Sequence, residues 1–369
     1  MRESNRLGAR TSETHLASWS TSAQRIAIEG RSISRMLSCC LAESTLHTLD
    51  PFVFELTPGV GPRWYGLAYA AGFLSGWCIL RELAKRGRIP FSTRDVGDLI
   101  FCLMIGVVLG GRLGHCLFYE PHFFIEFGAE FPYWRILAVH QGGMSSHGGI
   151  LGVAIACLWF ARTRSVAMLV VVDSVAFVAP LGLCFGRLAN WVNAELWGKP
   201  LAAVMQLNPP WWSVKYPDEV FYSQWNGSTE FAAERIRLGS AFAMQQYVRD
   251  EAYAGNAVMQ ERLLPTLTAY WPINFMQVLS EGVIVFILLA LLWATPRRPG
   301  LIAGAFLILY GTLRVTTEQF RQADADYLTF AGVTVPMQLS ALMVASGVAL
   351  LVASKRQQLP RIGGWWRRA

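Results

Sequence analysis

Residues 166–186 read Val-Ala-Met-Leu-Val-Val-Val-Asp-Ser-Val-Ala-Phe-Val-Ala-Pro-Leu-Gly-Leu-Cys-Phe-Gly. Wound as an α-helix, this run is about 31 Å long. That matches the thickness of a bilayer's hydrocarbon core, about 30 Å. Six more apolar stretches lie at 64–80, 97–119, 148–161, 273–295, 299–315 and 334–354. The run at 148–161 is short, and gains length if Gly-rich residues 142–147 enter the membrane edge as backbone buried in protein. Composition agrees. Of 369 residues, 53% are hydrophobic and 15% charged, against about 25% charged in ordinary soluble domains. The mean hydropathy is +0.34. These figures exclude a disordered chain, a disulfide-rich secreted module and a coiled coil. The expectation is an all-α polytopic membrane protein with seven transmembrane helices.

Charge placement orients the spans. Segments 81–96, 162–165, 296–299 and the tail after 354 hold 14 Lys and Arg against 2 acidic residues. Segments 44–63, 120–146 and 316–333 hold 3 Arg against 8 acidic residues. By the positive-inside rule the N-terminus is periplasmic and the C-terminus cytoplasmic. The net charge of +7 then reflects topology beside anionic lipid, and no nucleic-acid partner is needed to explain it. Five of the seven cysteines lie inside apolar runs, and Cys39 and Cys40 lie in a polar leader. No zinc-type spacing occurs.

The chain divides accordingly. Residues 1–46 carry six Arg and nine Ser without an apolar run, as a disordered leader or an over-called start would, with Met36 an alternative start. Residues 47–198 hold helices one to four. Residues 199–271, with Trp211, Trp212 and Trp225, form an enlarged periplasmic insert. Residues 272–354 hold helices five to seven, and 355–369 are a basic cytoplasmic tail.

Ionisable residues at membrane depth are costly and need a reason. Arg112 lies in the second span among Gly110, Gly111 and Gly114. The third span begins at Gln141-Gly-Gly-Met-Ser-Ser-His147-Gly-Gly-Ile-Leu-Gly152, and its glycines are expected to leave N–H groups free. The fourth exits through Gly186-Arg187-Leu-Ala-Asn190-Trp-Val-Asn193-Ala-Glu195-Leu-Trp-Gly198. The sixth exits through Arg314, Glu318 and Arg321. Arg187, Asn190 and Ala194 share one face if the helix persists, and Arg314, Glu318 and Arg321 share another, with Glu318 able to pair with either arginine. Taken singly, such residues have plain explanations. An Arg at a span end snorkels, a lone interfacial His is structural, glycine pairs serve helix packing, and Arg314–Glu318 is an ordinary ion pair. The coincidence of three clusters on one side points instead to an outer-leaflet site for an anionic lipid or anion, since Arg binds phosphate bidentately. Enzyme, transporter and scaffold stay open on spacing alone.

At these residues the sequence resembles the prolipoprotein diacylglyceryl transferase family. The family's GGMSxHGGxxG motif matches Gly142–Gly152, and its GRxGNFxNxExxG motif matches Gly186–Gly198. Trp64-Tyr65-Gly66, the run Leu109–Tyr119, and Arg314, Glu318, Arg321 and Asp324 match three more. The resemblance covers residues 50–354. It implies transfer of a diacylglyceryl group from phosphatidylglycerol to the lipobox cysteine of preprolipoproteins in the bacterial inner membrane. A thioether forms and glycerol 1-phosphate leaves. It implies His147, Arg187 and Arg314 as catalytic positions. It implies Tyr65, Arg112, Asn190, Asn193, Glu195, Gly198, Glu318 and Arg321 as substrate-binding or orienting positions. No metal or cofactor is implied, because the leaving group is already a phosphate ester. The departures are Ala189 for Gly, Trp191 for Phe, and Pro272-Ile-Asn-Phe-Met-Gln277 in place of a proline-led SQLYE, after which Glu281-Gly282 match again. A divergent paralogue, or a non-catalytic binder or transporter of anionic lipid on the same scaffold, is the alternative.

Overall fold

The computed structural model describes residues 44–54, 61–129, 132–139, 142–322 and 334–366. Leader residues 1–43, with Met36, Cys39 and Cys40, and also Gln141 and Asp324, lie outside the described residues. The long helices are α1 (Trp64–Lys85), α2 (Thr93–Phe118), α3 (Ser146–Thr163) and α4 (Met168–Val192). Three shorter helices come next, α5 (Ala232–Leu238), α6 (Ala241–Tyr253) and α7 (Ala257–Leu263). The order closes with α8 (Ile273–Trp293), α9 (Leu301–Glu318) and α10 (Val335–Arg356). The protein is mostly helical, and each apolar stretch read from the sequence contains one long helix. Five of these, α2, α4, α8, α9 and α10, are long and apolar enough to cross a membrane.

The described chain forms two compact units. One holds residues up to 48 with 200–271, the other 49–199 with 272 onward. In the larger unit, Leu80, Val96, Leu99, Phe160, Val171, Phe177, Leu289, Trp293 and Ile302 make a continuous core. Phe101, Ile105, Leu109, Leu117, Ile155, Trp159, Leu291 and Leu342 stay exposed along the helices. So much exposed apolar surface on long helices suits lipid as the solvent.

Glycines set the closest contact. A Cβ on Gly152 would stand 1.9 Å from the Gly106 carbonyl oxygen, and one on Gly148 would stand 2.2 Å from that of Gly110. Bare backbone therefore lets α2 and α3 approach, as small residues do in membrane bundles. Asp173, fully buried on α4, accepts hydrogen bonds from Gly300 N (2.8 Å) and Ala303 N (2.7 Å). It caps the start of α9 from a neighbouring helix, satisfying N–H groups that have no partner within their own helix.

The tail folds back at 362–363. β4 (Ile362–Gly363) pairs antiparallel with β3 (Pro296–Arg297). Gly363 N donates to the Arg88 carbonyl at 2.6 Å, and Trp293 Nε1 donates to that of Ile362 at 3.2 Å.

In the smaller unit, β1 (Thr45–Leu46) pairs parallel with β2 (Val214–Lys215). Trp225, Phe231, Met244, Val248, Met259 and Leu263 build its core. Glu219 is buried there and accepts from Thr268 N at 2.9 Å and Thr268 Oγ1 at 2.6 Å. Burial pushes its carboxyl above the ordinary carboxylate range, against the opposing pull of those bonds.

Candidate active site

Two side-chain groups meet at the ends of α4 and α9. The first surrounds Tyr65, at the start of α1. Its hydroxyl reaches both Asn190 Oδ1 and Glu195 Oε2. With one proton, it donates to one of them at a time. Glu195 lies beyond the helix, because α4 ends at Val192. Asn193 terminates it, with its side-chain amide donating to Ala189 O at 2.7 Å. Ala194 and Leu196 then take positive φ of 52° and 54°, a conformation that turns the chain sharply. The helix does not persist to Ala194, so the face expected to include that residue stops at Asn190. Beyond it the chain makes a turn that swings Glu195 toward Tyr65.

The second group is a buried ion-pair network. Glu281, on α8, is fully buried. Its Oε2 lies 3.6 Å from Arg187 Nη2, and its Oε1 lies 3.6 Å from Arg314 Nη1. Thr317 Oγ1 donates to Glu281 Oε1 at 2.6 Å. Glu318 holds Arg314 at 2.9 Å and Arg321 at 3.7 Å. Among the described residues, three guanidinium groups thus share two carboxylates. The 3.6 Å pairs exceed hydrogen-bond range, and Arg314 Nη1 has no hydrogen-bond acceptor among the described residues. A buried guanidinium with a donor to spare suits an anion.

Local backbone aims Glu281. Residues Val278–Ile284 form a π-helical turn within α8, a feature that often marks functional sites. A Cβ on Gly282 would lie 2.8 Å from that of Cys184, so the missing side chain lets the bulge seat against α4. Arg187 and Asn190, one from each group, stand one turn apart on α4, which brings the two groups side by side. Backbone also joins their parents. Gly198 pairs antiparallel with Arg321, and Lys199 N donates to Phe320 O at 2.7 Å. The end of the α4 motif is thereby laced to the end of α9.

His147 and Arg112 stand apart from these groups. His147 is the second residue of α3 and is exposed. Among the described residues, no hydrogen bond or ion pair joins it to either group. The glycine N–H groups beside it are not free, contrary to expectation. Gly148 N donates to the capping Ser145 Oγ at 3.3 Å, and Gly149 N to Ser145 O at 3.0 Å. Arg112 is buried and spends its guanidinium on four backbone carbonyls, those of Arg135, Ile136, Gly142 and Gly143, at 2.6–3.1 Å. It ties the chain leading into α3 onto α2. No group of three or more His, Cys, Asp or Glu placed to hold a metal occurs among the described residues.

Sequence reasoning gives no site role to Glu281, Thr317 or Asn274, although Glu281 and Asn274 fall in the stretch compared with the family motif. Glu281 carried a usable signal, since a carboxylate inside an apolar span is costly unless paired. Asn274 Nδ2 donates to Glu195 O at 3.0 Å, which only the folded turn reveals. Two departures from the family motifs touch each other, since Trp191 packs on Phe275 with ring centroids 4.6 Å apart.

The family model of prolipoprotein diacylglyceryl transferase matches residues 51–353. The chain belongs to this family. A phosphatidylglycerol–prolipoprotein diacylglyceryl transferase of Bdellovibrio bacteriovorus is 38% identical over 349 residues, covering 87% of this chain and 97% of the relative. Proteins of the same name from Rhodospirillum rubrum and Xanthomonas axonopodis pv. citri are 36% and 38% identical, each covering 84% of this chain and 93% of the relative.

Proposed function

We propose that this protein transfers the diacylglyceryl group of phosphatidylglycerol to the lipobox cysteine thiol of preprolipoproteins, in the bacterial inner membrane. The observation that carries the reading is the pairing of Arg187 and Arg314 through fully buried Glu281, beside the Tyr65 group, in a chain whose relatives bear that activity in their names. The lipid phosphate docks on the two guanidiniums. The cysteine sulfur, as thiolate, attacks the glyceryl carbon that bears the phosphate ester. A carbon–sulfur bond forms and the carbon–oxygen bond breaks. The electron pair leaves on the phosphate oxygen of glycerol 1-phosphate, where Arg187 and Arg314 stabilise the developing charge. His147 takes the thiol proton. Tyr65 and Asn190 position headgroup or glyceryl oxygens, and Glu195 and Glu318 orient their neighbours. Asn193, Gly198, Arg112 and Arg321 hold the backbone on which these groups sit. No metal or cofactor takes part.

The seven-span topology with a periplasmic N-terminus belongs to the same reading. Arg88, Arg297 and Ile362, from three segments assigned to the cytoplasm, come together through β3, β4 and the Gly363–Arg88 bond. Tyr65, Asn190, Gly198 and Arg321, from segments assigned outside, meet at the site. The test supplies membranes carrying the protein with a lipobox peptide and labelled phosphatidylglycerol. Wild type forms a thioether-linked product. Arg187→Ala and Arg314→Ala each slow it by about 10²–10³-fold. No product from wild type overturns the reading, and undiminished product from His147→Ala overturns the assignment of the base.

A further inference from the structure

We infer that Gln277 and Asn274 recognise the lipid headgroup by its alcohol, making them specificity residues for a glycerol-bearing phospholipid. The inference rests on the phosphatidylglycerol reading above. Both residues are 1% exposed. Neither Nε2 nor Oε1 of Gln277 has a hydrogen-bond partner among the described residues, and Oδ1 of Asn274 has none either. Buried polar atoms are almost always satisfied, and the exceptions call for an explanation such as a ligand or water. An apolar residue of the same length would fill the space without that cost.

Position in the helix relates the free groups to the site. Residues 274 and 277 stand at i and i+3 on the α-helical start of α8, and Glu281 follows in its π-helical turn. Asn274 touches the Tyr65 group through the Glu195 carbonyl. Glu281 touches Arg187 and Arg314. Gln277 lies between them in α8, one turn from Asn274 and one turn from Glu281.

The amides also select by chemistry. A carboxamide offers one acceptor and one donor group, and a hydroxyl both donates and accepts. The glycerol headgroup of phosphatidylglycerol brings two hydroxyls to these two amides. The ammonium of phosphatidylethanolamine only donates, and would leave Gln277 Nε2 unsatisfied. Gln277 cannot take up a proton, so its effect falls on headgroup selection rather than on proton transfer.

The experiment compares full-length wild type, Gln277→Met and Gln277→Glu. Methionine keeps the length and removes both polar atoms, whereas glutamate keeps an acceptor and loses the donor. The kcat and KM for peptide modification are measured with phosphatidylglycerol and with phosphatidylethanolamine as donor. Binding of each lipid is measured separately by native mass spectrometry. Gln277→Met is expected to raise KM for phosphatidylglycerol about tenfold, the worth of one or two hydrogen bonds. Its kcat holds, its values for phosphatidylethanolamine are unmoved, and the preference between the lipids shrinks about tenfold. Gln277→Glu, which accepts but no longer donates, is expected to move the preference further toward phosphatidylethanolamine, whose ammonium only donates. An equal loss on both lipids makes Gln277 structural and overturns the inference, as does an unchanged preference. If wild type forms no thioether at all, the activity reading fails instead. The binding preference of wild type over Gln277→Met then still decides the role of the amide.

Discussion

Glu281 holds two arginines that arrive from different helices, and it does so with no exposure to solvent. Removing one member of a buried charge network costs about 3–5 kcal/mol, because the remaining charges lose compensation. Glu281→Ala is therefore expected to lower the unfolding free energy by about that amount, read from thermal melting in detergent. Adding Arg314→Met to it should cost less than the two single changes summed, the sign of direct coupling in a double-mutant cycle. Additive losses would show that the residues do not interact. At this scale the sequence was readable where spacing alone makes the contact. Arg314 and Glu318 lie one turn apart on α9, and their pairing follows from periodicity. The sequence places Arg321 on the same helical face, but the helix ends at Glu318 and Arg321 reaches Glu318 from the turn beyond it. The sequence was unreadable where contact depends on an irregular turn. The π bulge at Val278–Ile284 brings Glu281 to Arg187, and positive φ at Ala194 brings Glu195 to Tyr65. Arg112 shows the opposite limit. Its position in the span was plain, yet only the structure shows the four carbonyls that occupy it.

Among the elements, the contact of α2 with α3 has the least tolerance. Gly152→Leu would drive a side chain into the Gly106 backbone, and backbone cannot yield as a flexible side chain can. Loss of folded monomer by size exclusion is expected for that variant. Gly149→Ala, three residues away, meets only the Val107 carbonyl at 4.0 Å, and its melting temperature should stay within a degree or two of wild type. If both variants melt alike, the glycine contact is not what holds the pair. Apolar runs announced each long helix, because hydrophobic length is a property of composition. Helix ends were harder to place. α4 runs to Val192 rather than stopping with the apolar stretch at 186, since Arg187 and Asn190 find partners there and no longer need water.

For the whole molecule, the proposed orientation places Arg361 and Lys199, both exposed, on opposite sides of the membrane. Cysteine introduced at each position, in a background without the native cysteines, is expected to react with an impermeant maleimide from the cytoplasmic side at 361 and the periplasmic side at 199. Labelling of both from one side would reject the seven-span arrangement. Charge counting could assign segments to sides, but not show that the basic tail returns to the bundle. That return sets an order of assembly. Ile362 and Gly363 come after every helix in the chain, yet they are bonded to β3 and to the carbonyl of Arg88, near the end of the first helix. During synthesis, the bundle at that end therefore stays unlatched until nearly the whole chain has emerged. The first hairpin must wait, inserted but unclosed, for the last strand to arrive.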